Sequence, residues 1–138
     1  MRQFYREFDI YGTVDFIFEN ATIVFQNCNS YPRLPSTGQF NAITAQGRTD
    51  PNQNTGTYIH NSTIKVADDL ALNITTVKTS LGRSWKEYSR TVYMQCFMDN
   101  LKLFVLIRKE ARTSLTQNLQ RTPITTIYCV NFISKNQG

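Results

Sequence analysis

The sequence has 138 residues, enough for one domain with a hydrophobic core but short for a large enzyme. Its 41% hydrophobic and 18% charged residues exclude a disordered chain. The net charge of +5 comes entirely from residues 101–138, which carry six basic residues and one acidic residue. This basic tail has no nucleic-acid motif and no aromatic stacking pattern, so we expect no nucleic-acid partner.

Targeting and cofactor signals are absent from the sequence as given. No apolar segment follows the first residues, so no signal peptide is predicted. The apolar run 101–107 is too short to span a membrane and contains Lys102. Three cysteines (Cys28, Cys96 and Cys129) form an odd count without metal-ligand spacing, and we therefore predict neither a metal nor another cofactor.

The stretch 12–21, GTVDFIFENA, places Asp15 inside an apolar run. Strand alternation would put Asp15 on one face with Thr13 and Ile17, and the apolar residues Val14, Phe16 and Phe18 on the other. Burying an unpaired carboxylate costs several kcal/mol. Two interpretations stay open: an Asp that caps a turn at a strand end, or an Asp held for chemistry.

Further along, short segments rich in β-branched and aromatic residues predict strands over Thr22–Asn27, Asn41–Gln46, Thr57–Val66 and Arg90–Phe97. Turn-forming residues dominate 31–38 and 47–56. No amphipathic helix is predicted before residue 100. The pattern is that of an all-β chain.

The strand segments repeat. IVFQNCNSY, TYIHNSTIK and VYMQCFMDN share a strand-then-polar character, and Cys28, Ser62 and Cys96 follow one another at intervals of 34 residues. A period in this range is typical of solenoids, and short strands with polar turns favour a parallel β-helix. A β-sandwich with accidental spacing remains the alternative.

Three segments carry a family resemblance: RQFYREFDIYGTVDFIFENATIVFQNCN, ITAQGRTDPNQNTG and LGRSWKEYSRTVYMQ. In this order they resemble plant pectin methylesterases (pectinesterases) over about residues 2–100. The resemblance implies a right-handed parallel β-helix for residues 1–100, of which this chain holds several coils. Residues 101–138 do not match and are interpreted as a basic tail of uncertain structure, either a real extension or a frameshift or gene-model artefact.

The resemblance also implies a reaction, the hydrolysis of methyl esters in homogalacturonan during cell-wall modification. Asp15 would be the nucleophile, and Arg83 would orient it and keep it ionised. Trp85 offers a flat face for a sugar ring, and Phe18 would either line the cleft or pack in the core. The implied partners are pectin and a proteinaceous pectinesterase inhibitor. The implied location is the extracellular plant cell wall, and we expect a monomer.

Other polar residues receive structural roles. Gln46 and Arg48 belong to a family signature, and we expect their polar groups mainly to hold the turn. His60 is the only histidine, and no GxSxG motif accompanies it, so we assign it a structural or surface role.

The resemblance does not extend beyond about residues 2–100. The family's general acid/base Asp and an oxyanion Gln lie in a QDTL motif upstream of RQFY, and this sequence holds no counterpart. We therefore expect a truncated esterase, impaired or inactive; the alternative is a non-catalytic, degenerate β-helix fragment that at most binds pectin. Coil faces left unpaired at the ends predict poor solubility.

Four substitutions depart from the family pattern. Glu19 replaces Gly, which predicts backbone strain and an added charge beside Asp15. Ser84 replaces Pro, which would loosen the backbone around Arg83. Phe8 replaces a Cys, and Ser62 stands where many members have the disulfide partner of Cys28. The resemblance thus implies that Cys28 is a free thiol.

Overall fold

The computed structural model describes residues 1–83, 85–99 and 101, together with the backbone of one further strand at 128–133. The strands are β1 (Arg2–Arg6), β2 (Asp9–Gly12), β3 (Val14–Glu19), β4 (Thr22–Gln26), β5 (Asn29–Pro32), β6 (Asn41–Gln46), β7 (Gly56–His60), β8 (Thr63–Lys65), β9 (Thr79–Gly82), β10 (Tyr88–Met94), β11 (Phe97–Asp99) and β12 (Tyr128–Ile133). A single helical turn, α1 (Asp68–Ala71), lies between β8 and β9.

The strands form three sheets that the chain visits in turn. The first sheet has the order β1-β4-β7-β10-β12, the second β2-β5-β8-β11, and the third β3-β6-β9. Every pairing is parallel except that of β10 with β12. Each of the first three coils thus contributes one strand to each sheet, and β10 and β11 continue the first two sheets. This is a parallel β-helix, and the β-sandwich alternative is wrong.

The 34-residue repeat corresponds to one turn of this β-helix from its second coil to its fourth, whereas the first coil is shorter and pairs Arg6 with Gln26. Gln26 pairs with His60, which in turn pairs with Met94, so Cys28, Ser62 and Cys96 lie on successive coils. The Cys28 backbone N–H donates to Ser62 Oγ at 3.1 Å. Cys28 and Cys96 are both buried free thiols, as the resemblance implied for Cys28.

The corner between the first and second sheets has left-handed backbone in all four coils. The residues there are Glu7, Asn27, Asn61 and Gln95, with φ between 46° and 61°. Asn tolerates this conformation better than most residues. Asn61 Nδ2 also donates to Asn27 Oδ1 of the adjacent coil at 2.8 Å.

These corners correct two predicted strands. Thr57–Val66 and Arg90–Phe97 are each two strands, β7 with β8 and β10 with β11, which are separated by a corner that holds one residue in left-handed conformation. Alternation over a long β-rich segment does not reveal a corner of two residues. By contrast, β6 has the predicted bounds and β4 ends one residue early.

The core runs along the inside of the coils. It is a column of buried apolar side chains: Ile17, Phe25, Cys28, Ile43, Ile59, Ile64, Leu81, Tyr93, Cys96, Met98 and Leu101. Tyr93 lies fully inside, and its hydroxyl donates to the Leu81 carbonyl at 2.6 Å. Burial raises the pKa of the Tyr93 phenol and of the Cys96 thiol, because the charged forms would be desolvated.

The two ends of the β-helix concern the predictions of poor solubility and of a basic tail. Strands β1, β2 and β3 of the first coil are the terminal strands of their sheets, and poor solubility stays a prediction. The assigned tail falls largely on residues outside the described part of the chain, apart from β12. Within that part, no helix is long and apolar enough to cross a membrane.

Candidate active site

Asp15 lies at an irregularity in β3. Val14 pairs with Ala42 and Ile17 with Thr44, so β3 contains one extra residue, a β-bulge, opposite β6. Asp15 itself has a left-handed backbone with φ of 53°. The bulge breaks strand alternation, and the expectation that Asp15 shares a face with Ile17 is wrong: Ile17 is buried, whereas 23% of the Asp15 side chain is exposed.

Gly12 accommodates this bulge. A Cβ at Gly12 would lie 2.2 Å from the Cβ of Phe16, closer than real Cβ contacts allow. Phe16 is half-buried and packs against the core. The glycine therefore lets Phe16 fold inward while Asp15 projects to the partly exposed side.

Arg83 reaches Asp15 from the end of β9, with β6 between them in the third sheet. Its backbone N–H donates to the Thr44 carbonyl at 2.9 Å, which fixes its position beside β6. Arg83 Nε donates to Asp15 Oδ1 at 2.7 Å, and the Arg83 NH2 group donates to Asp15 Oδ2. This paired geometry holds the carboxylate in one orientation. The hydrogen bonds to Asp15 raise the pKa of Arg83 against the opposing effect of burial.

Two aromatic side chains stand beside this pair. The ring of Phe18 meets the ring of Trp85 edge to face, with centroids 5.9 Å apart and planes at 77°. Phe18 is 58% exposed and Trp85 54% exposed, which removes the alternative that either side chain packs in the core. Trp85 lies over Gly47, where an added Cβ would be 3.3 Å from its Cε3 atom.

Gln46 and Arg48 hold the backbone next to the site. The fully buried Gln46 Oε1 accepts from the backbone N–H groups of Arg48 and Arg90, at 3.0 Å each. Arg48 is also buried and donates to the carbonyls of Asp50 (2.9 Å) and Pro51. These contacts confirm that both side chains hold the turn.

His60 takes the structural role predicted for it. On the outside of the first sheet, His60 Nε2 lies 2.9 Å from Gln95 Oε1, and Nδ1 lies 3.4 Å from Gln26 Nε2. Both partners belong to neighbouring coils, so the ring links three turns of the β-helix.

Glu19 does not carry the strain predicted for it. Its backbone lies in β3 opposite Gln46, in an extended conformation open to any residue. Its exposed carboxylate accepts from the Asn20 backbone N–H at 2.8 Å. The substitution adds an exposed charge at the position after Phe18 without distorting the strand. Ser84 lies outside the described residues.

One contact was missed by sequence reasoning. Lys86 Nζ lies 5.8 Å from the centroid of the Trp85 ring. No sequence pattern predicted that the ammonium would lie against the ring. Over the described residues, no cluster of three or more His, Cys, Asp or Glu side chains could hold a metal ion.

The fold and the site define a parallel β-helix protein that carries a carboxylate–guanidinium pair and exposed aromatic side chains at one sheet. A family model described as Pectinesterase matches residues 1–128. The chain belongs to the pectinesterase family, whose members are carboxylic ester hydrolases.

Named relatives agree with this assignment. The chain is 74% identical over 99 residues to probable pectinesterase/pectinesterase inhibitor 7 of Arabidopsis thaliana, covering 72% of this chain and 17% of that protein. It is 61% identical over 100 residues to pectinesterase 2 of Citrus sinensis, covering 72% and 19%. A solved structure of pectin methylesterase from carrot matches with a TM-score of 0.72 and 50% identity, covering 75% of this chain and 34% of that one. The chain thus spans less than a fifth of the curated relatives it matches.

Proposed function

We propose that this chain carries the nucleophile of a pectin methylesterase, with Asp15 attacking the methyl-ester carbonyl of a galacturonate unit. The carboxylate oxygen would bond to the carbonyl carbon, and methoxide would leave and take up a proton to become methanol. Water would then hydrolyse the resulting anhydride to galacturonate, the Asp15 carboxylate and two protons. One of these protons replaces the proton taken up by methoxide, so each turnover releases one proton. The observation that carries the proposal is the two-point contact of Arg83 with Asp15, which aims the carboxylate.

The proposed substrate position is beside Phe18 and Trp85. Their exposed apolar surfaces suit the carbon faces of a sugar ring, and both lie on segments that lead directly from Asp15 or Arg83. Pectin is therefore the proposed ligand and the plant cell wall the proposed location. A proteinaceous pectinesterase inhibitor remains a proposed partner on family grounds.

We further infer that this chain by itself turns over slowly or not at all. In the portion that the structure describes, Arg83 is the one side chain that hydrogen-bonds Asp15. A guanidinium cannot release a proton near neutral pH, so it cannot serve as the general acid for methoxide. Proton delivery and oxyanion stabilisation would need further groups.

Methanol release from highly methyl-esterified homogalacturonan tests the proposal. We expect weak release at most, abolished in Asp15→Asn, which keeps a residue type that tolerates left-handed backbone. Asp9→Asn is the matched control, because Asp9 is exposed on β2 and contacts Asn29, and it should release methanol like the wild type. Release that survives Asp15→Asn would contradict the nucleophile assignment. Pectin binding without any release would favour the non-catalytic alternative.

A further inference from the structure

The ammonium of Lys86 lies at the edge of the aromatic pair, where it would meet a ligand that contacts Trp85. Its Nζ is 5.8 Å from the ring centroid, within the range of a cation–π contact. Among the described residues it forms no ion pair, since the salt bridges there join Arg6 to Glu7, Arg33 to Asp69 and Arg83 to Asp15. The Lys86 charge is thus available to a ligand.

The backbone around Lys86 is fixed. Its N–H donates to Ser89 Oγ at 3.2 Å, and its carbonyl accepts from the Ser89 hydroxyl at 2.8 Å. Tyr88 N–H donates to the Arg48 carbonyl at 3.1 Å, which ties the same turn to the buried loop. The fold therefore sets where the Lys86 backbone lies, and from there the exposed side chain reaches the Trp85 ring.

We propose that Lys86 is a specificity-determining residue that recognises a free galacturonate carboxylate on a unit resting against Trp85. This inference rests on the proposed function. A galacturonan unit carries either a neutral methyl ester or a carboxylate, and only the carboxylate is attracted to an ammonium. Lys86 thus favours chains that already contain de-esterified units.

Nearby acids set the limits of this preference. Glu87 follows Lys86 and is half-buried, and Glu19 lies exposed beside Phe18. A ligand carboxylate that came close to Glu19 would be repelled by it, so for such a ligand Glu19 would oppose Lys86. The Glu19 carboxylate also accepts a hydrogen bond from the Asn20 N–H, whereas the Lys86 ammonium forms no ion pair among the described residues.

The fluorescence of Trp85 tests the proposal directly, because Trp85 is the only tryptophan in the sequence. The chain is titrated with two oligogalacturonide probes: one fully amidated at C6, which is neutral and is not an ester, and one with half of its carboxylates free. We expect the half-free probe to bind up to about fivefold more tightly at low salt, as suits an exposed ion pair. The difference should disappear in about 0.5 M salt.

Variants identify the residue responsible. Lys86→Gln should bring the two dissociation constants together, Lys86→Arg should keep them apart, and Glu19→Gln should widen the gap. Equal binding of both probes by the wild type, or an equal loss for both probes in Lys86→Gln, would overturn the role of Lys86 and leave the proposed function standing. If neither probe changes Trp85 fluorescence, Trp85 does not contact the polymer, and the proposed substrate position fails as well.

Discussion

Strands β3 and β6 are neighbours in the same sheet and differ sharply. All six residues of β6 are buried, and its backbone is regular. In β3 there is a bulge, a left-handed residue at Asp15, and exposed side chains at Phe18 and Glu19. The difference indicates that packing is concentrated in the strand between the site residues, while the strand that bears the carboxylate departs from ideal geometry.

The strongest test of this comparison removes packing from β6. Ile43 is fully buried, so Ile43→Ala should lower the free energy of unfolding by about 2–5 kcal/mol, measured by denaturant unfolding. Phe18→Ala on β3 is the matched control and should change it by less than about 0.5 kcal/mol, because Phe18 is exposed. Similar losses in both variants would show that the two strands do not differ in this way.

A second test links two adjacent coils by a disulfide at a position outside β3. Ser62→Cys places a thiol on the coil next to Cys28, at the strand spacing of about 4.8 Å that a disulfide can bridge. We expect a stabilisation of about 2–4 kcal/mol that disappears on adding reductant.

The control for this disulfide is the double variant Ser62→Cys/Cys28→Ser, which still offers Cys96 on the other side. Stabilisation that persists in the double variant would assign the bridge to Cys96. An unchanged Trp85 emission spectrum in Ser62→Cys would show that the site is independent of this part of the scaffold.

The third test concerns the end of β6. Gln46→Met keeps the volume of the side chain but leaves the buried N–H groups of Arg48 and Arg90 without their acceptor. We expect a loss of about 1–3 kcal/mol in the free energy of unfolding. Gln53→Met is the control, because Gln53 Oε1 accepts only from the Asn20 side chain in the loop. A larger loss in the control than in Gln46→Met would contradict the role given to Gln46.

The smallest expected effect is a pH dependence of the free energy of unfolding, which arises from buried groups of the core and not from the Asp15–Arg83 pair. The raised pKa values of Tyr93 and Cys96 mean that the folded state keeps both groups neutral. Their contribution is fully present below the unfolded pKa values, 9.0 for Cys and 10.0 for Tyr, and is lost as the pH rises above them.

Unfolding experiments at a series of pH values measure this loss. For Tyr93 alone, the free energy of unfolding should fall by about 1 kcal/mol between pH 10 and pH 11. Tyr93→Phe should fall less steeply over the same interval. Arg83, whose pKa is raised by its contact with Asp15, stays charged throughout this range. An unchanged slope in Tyr93→Phe would contradict the assignment.

The sequence by itself determined the all-β character, the coil period and the residues of the candidate site. The interval shared by Cys28, Ser62 and Cys96 equals one turn of the fold from the second coil to the fourth, since equivalent positions of stacked coils recur along the sequence. The family segments singled out Asp15, Arg83, Trp85 and Phe18, because a motif is an order of residue types and can be recognised in the sequence without the fold.

Only the tertiary structure decided how those residues meet. The bulge that turns Asp15 away from Ile17, the reach of Arg83 across β6, and the ammonium of Lys86 beside Trp85 depend on register between coils. The left-handed corners also escaped prediction, because a single residue with positive φ leaves no mark in a hydrophobic pattern. Contacts between residues far apart in sequence are set by the packing of the coils, and no local pattern encodes them.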